Sequence, residues 1–542
     1  YDTGSGLVYY YNADQSLNYT ALYFPSATGT ITYEYDAFAR VSKIYADYNN
    51  GASVGVQRDE QYTYRTYNGG KTDGLVSQYK STINRTATTY KYTYNNKGYI
   101  VTETKDGQVY TYTYDDLGQL IMVSYSSTNL YYSYDDAGNL LSVKCEIISS
   151  GGGGVSLGER AINPGITTLK TYTYSASEWG DLLIAFNGNA ITYDNLGNPL
   201  SYYNGSRYTF TWQGRRLVGA VKGTSTMSFT YDDNGLRTSK TVNGITTEYY
   251  WNGNLLVAEQ TPYSLTVYNY DATGRPIGMS YRENTYGQYQ WDVYWFDLNL
   301  QGDIVAVYNK SGVKLVSYSY DPWGKCTATY SNGGASTSAV KNNLRYRGYY
   351  LDSDLGLYYL QSRYYDPNTY RFINADGYLS TGQGILGYNM YAYCNNNPVN
   401  YVDYGGSKPG NVMVCLRGED GGYYPYSDSY LRNAYRNAAI AAQKAQIEFE
   451  GEHTIDFERS LIENFDRTTL YILYMLLYQH SVTKAATNNI TADKIMSIEH
   501  IQWETEWHLA ASFLPNTDKI NLNFSETRAE MIKRGFRALF GD

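Results

Sequence analysis

One short unit recurs through the greater part of this chain: an aromatic residue, any residue, Tyr-Asp, two variable residues, Gly, one more, then an apolar residue. It reads YTYDDLGQL at Tyr112 and YSYDDAGNL at Tyr132. Looser copies are YEYDAFARV at Tyr33, YTYNNKGYI at Tyr92, ITYDNLGNPL at Ile191, FTYDDNGLR at Phe229, YNYDATGRPIG at Tyr268 and YSYDPWGK at Tyr318. Such self-similarity marks a repeat architecture and precedes every other inference about the fold. Within a unit, aromatics two residues apart share one face of a strand. The Asp side chain accepts bonds from the backbone just ahead, and the Gly tolerates positive φ, so the middle of the unit is a tight turn. The apolar residue then opens a returning strand. One hairpin cannot bury its own face. The units must therefore stack into an extended sheet, which satisfies its own backbone and can enclose a volume without a conventional dense core. The expected fold class is mainly β.

Composition agrees. The chain has 67 Tyr and 51 Gly, which suits pleated surface and turns. The formal charge of −9 argues against non-specific binding of the whole chain to nucleic acid or to anionic membranes. Cys145, Cys326, Cys394 and Cys415 are too scattered for a metal cluster or a disulfide framework. The longest apolar run, Leu470–Tyr478, is too short to span a bilayer and reads as a buried helix. Flexible interruptions are expected at Ser149–Arg160 and Tyr330–Asn343. Tyr1 falls inside a repeat, so further repeats are expected ahead of it.

The pattern changes near Gly405. Of the 67 Tyr, 8 lie beyond Gly406, and helical periodicity takes over from Ser429. Helices are expected over Ser429–Phe449, Ile455–Asn464, Thr468–His480, Thr491–Leu514 and Ser525–Phe540, the last capped by Ser525. On one of them His500, Glu504 and His508 fall at i, i+4, i+8, along one stripe. Such a stripe can ligate a divalent metal or do acid–base work, or it can be a solvated polar face opposite Trp503 and Trp507. It is not the His-Glu-x-x-His arrangement of metalloproteases. No other cofactor is indicated. Arg528–Phe540 is a basic amphipathic helix, suited to membranes, partners or phosphate, or simply to packing on its own domain. From Ser407 on, 14 Lys+Arg face 18 Asp+Glu, which is 14 − 18 = −4 and a weak case for a nucleic-acid enzyme.

The repeats resemble the YD repeats of RHS-type proteins. Val316–Lys325 (VSYSYDPWGK), Leu344–Gly377 (LRYRGYYLDSDLGLYYLQSRYYDPNTYRFINADG) and Leu386–Gly406 (LGYNMYAYCNNNPVNYVDYGG) resemble the RHS repeat-associated core domain of polymorphic toxins. The resemblance implies a spiral β-hairpin shell over residues 1–343, here a partial cocoon. A core domain over 344–406 would close one end. A variable C-terminal domain over 407–542, mostly α-helical by its periodicity, would be an effector enclosed as cargo. It also implies an immunity protein as partner and a secreted or cell-surface setting. In many members the core domain cleaves itself with two aspartates, each in Asp-Pro-x-Gly, the second followed by Leu and the cut. The matching residues are Asp376 and Asp403, with Arg371 as the basic residue ahead of the first. Gly377 and Tyr404 replace the prolines, and Ser407 stands where Leu would be. Two carboxylates sharing a site would hold one proton between them, so that one could activate water or assist an acyl shift while the other donates. Turn formation beside glycine is the alternative role for both.

Three functional classes remain at this level. The first is a toxin shell with a C-terminal effector, a nuclease or other hydrolase. The second is a surface adhesin whose tyrosines offer aromatic faces to glycans. The third is a shell with an inert helical cap.

Overall fold

A computed structural model describes residues 6–426 except 12–16, 25–26, 39, 50–55, 68–71, 149–165, 177–178, 272, 285–289, 332–341, 378–384, 408–409, 412–413 and 418–422. Cα proximity divides the chain into Tyr1–Ser427 and Asp428–Asp542. The helices expected from Ser429 on, and the interruption at Ser149–Arg160, lie outside the described residues. Those residues contain no α-helix, only three short 3-10 turns.

The mainly β expectation holds. Fifteen strands, from Gly6–Tyr11 to Asn189–Ala190, form one antiparallel sheet. Fourteen more, from Thr192–Tyr193 to Cys326–Tyr330, form a second. In both, every strand pairs with its neighbour in sequence. Short strands Tyr350–Asp352, Leu357–Leu360, Arg363–Asp366 and Arg371–Phe372 make a third sheet. Among the described residues beyond Gly406 are short strands of two and four residues, Gly410–Asn411, Val414–Arg417 and Tyr423–Tyr426.

The repeat explains the turn. Asp135 Oδ1 accepts the amides of Ala137 (3.0 Å) and Asn139 (2.8 Å), and Asn139 Nδ2 returns a bond to Asp135 Oδ2 at 3.0 Å. Gly138 N donates to Asp135 O at 3.0 Å, and Gly138 takes φ +78°. The register slips one residue beside this turn, between Ser133 and Tyr134. Similar slips recur at Thr230/Tyr231, Asn269/Tyr270 and Asp297/Leu298. Bulges of this kind bend a strand and increase its twist, so repeating one beside many of the turns makes the ribbon curl.

The two aromatics of the unit share a face but have different roles. The first, as in Tyr92, Tyr112 and Tyr132, is buried. The second ties its own unit to the preceding one. Tyr114 Oη donates to Ile100 O, Tyr134 Oη to Leu120 O and Tyr270 Oη to Leu256 O, all at 2.7 Å. Where Trp replaces this Tyr, its ring N–H makes the same bond, Trp212 to Pro199 O (2.7 Å) and Trp251 to Arg237 O (2.8 Å). Tyr and Trp both carry a donor at the far end of an apolar body, which Phe lacks.

The curled ribbon meets its own beginning. Ser81 Oγ donates to Asp297 Oδ1 at 2.7 Å across 216 residues of sequence, and Tyr79 Oη donates to Leu298 O at 3.0 Å. Tyr48 stacks on Trp295 with ring centroids 3.7 Å apart. Leu22, Ile31, Ile44 and Val56 join Ile277, Val293 and Trp295 in one apolar cluster.

Candidate functional site

The tyrosine-rich stretch 344–377 and the following residues to 406 lie against the turns of the repeats. Asn397 Nδ2 donates to Gly118 O (2.8 Å), Asn396 Nδ2 to Gly138 O (2.6 Å), Tyr391 Oη to Gly197 O (2.8 Å) and Tyr358 Oη to Gly324 O (2.9 Å). Each acceptor is a turn glycine of a different repeat. Asn400 Oδ1 accepts the amide of Ile100 at 2.9 Å. Arg347 pairs with Asp303 at 3.3 Å. Asn395 and Asn396 both take left-handed backbone, φ +51° and +59°, which Asn adopts more readily than most residues. The eight tyrosines of the stretch are thus a packed surface that engages many hairpin ends at once. Tyr346, Tyr358, Tyr365 and Tyr393 are fully buried.

Within this packing the two aspartates singled out from sequence come together on one cation, Arg363. Its Nη2 lies 2.9 Å from Asp376 Oδ2 and 3.5 Å from Asp403 Oδ2. All three side chains are buried. Arg363 also donates from Nη1 to Met390 O (2.9 Å) and lies 3.5 Å over the Phe372 ring. Burial lowers its affinity for the proton, and the carboxylates of Asp376 and Asp403 oppose that, so the net shift is downward. The Asp376 amide donates to Met390 O (2.9 Å) and the Asp403 amide to Tyr349 Oη (2.8 Å). Tyr349 shares a 3.0 Å hydroxyl contact with Tyr393. Two carboxylates meeting on one guanidinium, with Asp403 at the start of the bend that runs to Ser407, are suited to proton transfer at that backbone.

Arg371 is placed elsewhere. Its Nη2 donates to Asp181 O at 2.6 Å, and its guanidinium lies 5.0 and 4.8 Å from the rings of Tyr174 and Tyr391. Arg363, absent from the sequence-derived set, supplies the charge at the aspartates. Its only sequence signal is a place within the specific stretch 344–377. Cys394 is no rival nucleophile: burial, and then the Asp403 charge, push its thiol well up. Among the described residues no group of three or more His, Cys, Asp or Glu is placed to hold a metal ion. His500, Glu504 and His508 lie outside the described residues.

This combination of YD-repeat sheets whose turns are engaged by a tyrosine-rich core segment defines the RHS class of architecture. Its relatives bear that out. The tRNA3(Ser)-specific nuclease WapA of Bacillus spizizenii is 34% identical over 268 residues, 48% of this chain and 11% of that protein. The tRNA nuclease WapA of Bacillus subtilis is 33% identical over 269 residues, with the same shares of 48% and 11%. Double-stranded DNA deaminase toxin A of Burkholderia cenocepacia is 30% identical over 255 residues, 41% of this chain and 17% of that protein. The homologues are thus RHS-family polymorphic toxins. The chain spans only 11% of the length of the WapA proteins it matches. Among solved structures, the TcdB2-TccC3-Cdc42 crystal structure aligns over 74% of this chain and 22% of that chain, with a TM-score of 0.52 at 15% identity. The Tc holotoxin pore of Photorhabdus luminescens aligns over 77% and 22%, with a TM-score of 0.50 at 15% identity. The large antiparallel sheets therefore resemble the Tc toxin shell in fold. No family model matches the chain.

Proposed function

We propose that this chain is part of an RHS-family polymorphic toxin, in which a β-shell over residues 1–343, closed by the core segment 344–406, encloses an effector that follows. The core segment severs the chain through Asp376 and Asp403 and frees the effector. The observation that carries this reading is the meeting of the two aspartates on Arg363, beside the turn that leads from Asp403 to Ser407. One carboxylate takes a proton as the other, held by the guanidinium, keeps its charge. Relatives named for different activities, a tRNA nuclease and a DNA deaminase, share up to 48% of this chain, as suits one carrier joined to different effectors. An immunity protein in the producing cell and export to the cell surface or beyond belong to the same reading. So does a mostly helical effector in which His500, Glu504 and His508 work together.

The burial of the first repeat aromatic favours this over an adhesin, which would turn those rings outward to glycans. Intact-mass analysis of the purified chain beside Asp376→Asn and Asp403→Asn tests it. The expected result is a cut near Ser407 in the wild type that is lost in both variants. One uncut mass in all three would return the aspartates to a role in turns.

A further inference from the structure

The contacts around Arg363 converge on one particular peptide bond. The carbonyl oxygen of Gly406 accepts a bond from Ser362 Oγ at 2.6 Å and another from Arg363 Nε. The amide nitrogen of the same bond, Ser407 N, donates to Asp403 Oδ1 at 3.1 Å. A guanidinium and a hydroxyl thus hold the oxygen of the Gly406–Ser407 bond, and a carboxylate holds its nitrogen. Gly406 is buried and has φ +67°, and a Cβ there would lie 2.5 Å from Leu360 O, so glycine alone fits this bend. Ser407 is half-buried, within reach of water. Ser362 Oγ also lies 2.7 Å from Gly405 O, so its single proton serves both carbonyls in turn.

We propose that the bond severed is Gly406–Ser407, one residue earlier than the position implied by the RHS resemblance, and that the Ser407 hydroxyl is the nucleophile. The inference rests on the self-cleavage reading above. Ser407 Oγ attacks the Gly406 carbonyl carbon and passes its proton to the Asp403 carboxylate. The oxyanion that forms on Gly406 O is met by Arg363 Nε and Ser362 Oγ, donors already in place before any charge develops. The C–N bond then breaks, and Asp403 returns the proton to the leaving Ser407 nitrogen. An ester now links Gly406 to Ser407 Oγ. Water hydrolyses it, leaving a carboxylate on Gly406 and a free amine and hydroxyl on Ser407. The net change is one peptide bond and one water consumed, with no oxidant or cofactor. Asp376 acts as a positioning residue that orients Arg363.

The test is N-terminal sequencing and intact mass of the products of the full chain, with Ser407→Ala, Ser407→Cys and Ser362→Ala beside the wild type. The released product should begin at Ser407. Ser407→Ala should remain whole, and Ser407→Cys should cut again, which separates lost chemistry from lost folding. Neutral hydroxylamine should speed release and leave a hydroxamate on Gly406. Ser362→Ala should slow the cut by about 10²-fold, as the loss of one oxyanion donor does elsewhere. A product beginning at Lys408, or Ser407→Ala cutting at the wild-type rate, overturns this inference and leaves self-cleavage standing. A wild-type chain that stays whole, like Asp376→Asn and Asp403→Asn, overturns both.

Discussion

Arg237 and Asp352, 115 residues apart, form a 2.7 Å ion pair with both side chains almost wholly out of solvent. The pair joins the repeat strand Arg237–Val242 to the first strand of the core segment, Tyr350–Asp352. Lys240 Nζ reaches the other oxygen of Asp352 at 2.9 Å, and the rings of Tyr249 and Tyr359 flank the Arg237 guanidinium at 4.6 Å each. Burial raises the Asp352 carboxyl, but Lys240 and Arg237 together outweigh it and hold the group below its ordinary range. Removing this carboxylate takes the acidic partner from the buried Arg237 and leaves Lys240 paired with the exposed Asp354 at 2.7 Å. Asp352→Ala should lower the stability of the full chain by about 3–5 kcal/mol in urea unfolding. Replacing Arg237, Lys240 and Asp352 together with apolar residues should cost less than Asp352→Ala alone. Because the folded-state pKa is depressed, the pair's contribution is present above about pH 4, the unfolded value, and fades as pH falls through the folded value.

The two tyrosines of one repeat should respond differently to loss of the hydroxyl. Tyr94 Oη donates to Val76 O at 2.7 Å, whereas the buried Tyr92 Oη has no hydrogen-bond partner among the described residues. Tyr94→Phe should cost about 1 kcal/mol. Tyr92→Phe should be neutral or stabilising, because it removes a buried polar atom that forms no bond. Chemical denaturation of the two variants side by side checks the contrast.

Lys170 offers a pH test. Burial pushes its ammonium down to about 7, against the charges of Asp321 and Asp366 and with a small further push from Lys325. Its Nζ donates to Asn368 O at 2.6 Å and lies 3.2 Å from the Tyr370 ring centroid. Between about 7 and the unfolded value of 10.5 the unfolded chain binds the proton and the folded chain does not. Stability from this group should therefore rise with pH across that window. The urea midpoint of the wild type should climb relative to that of Lys170→Met from pH 7 to pH 10. Parallel curves would refute this.

Turn glycines should divide by what surrounds them. Gly98 and Gly197 both have positive φ, +80° and +76°. A Cβ on Gly98 meets open space, but one on Gly197 would lie 2.3 Å from Tyr391 Oη and 2.6 Å from the Trp179 ring. Gly98→Ala should cost about 1–2 kcal/mol, the cost of left-handed backbone. Gly197→Ala should cost clearly more, since it also dislodges the Tyr391 hydroxyl from Gly197 O. Thermal unfolding of the pair compares them.

Local chemistry in the sequence determined the repeating part of this protein. Asp, Gly and alternating aromatics set strand, turn and strand within a handful of residues, so the hairpins and their serial pairing are legible in the amino-acid order alone. The specific stretches at 344–377 and 386–406 likewise pointed to Asp376 and Asp403, but not to the guanidinium on which they meet. The choice between Arg371 and Arg363 was not legible, because both are buried arginines in one tyrosine-rich stretch. Only the packing of the strand Arg363–Asp366 against the turn at Asp403 selects one. The division of labour between Tyr92 and Tyr94 was hidden for a similar reason. Period two places both rings on one face, but which hydroxyl finds a carbonyl depends on how the neighbouring strand is set. The meeting of Ser81 with Asp297 is a property of tertiary structure alone, since it sums the twist and bulge of every strand between them, and no short window of sequence contains that sum.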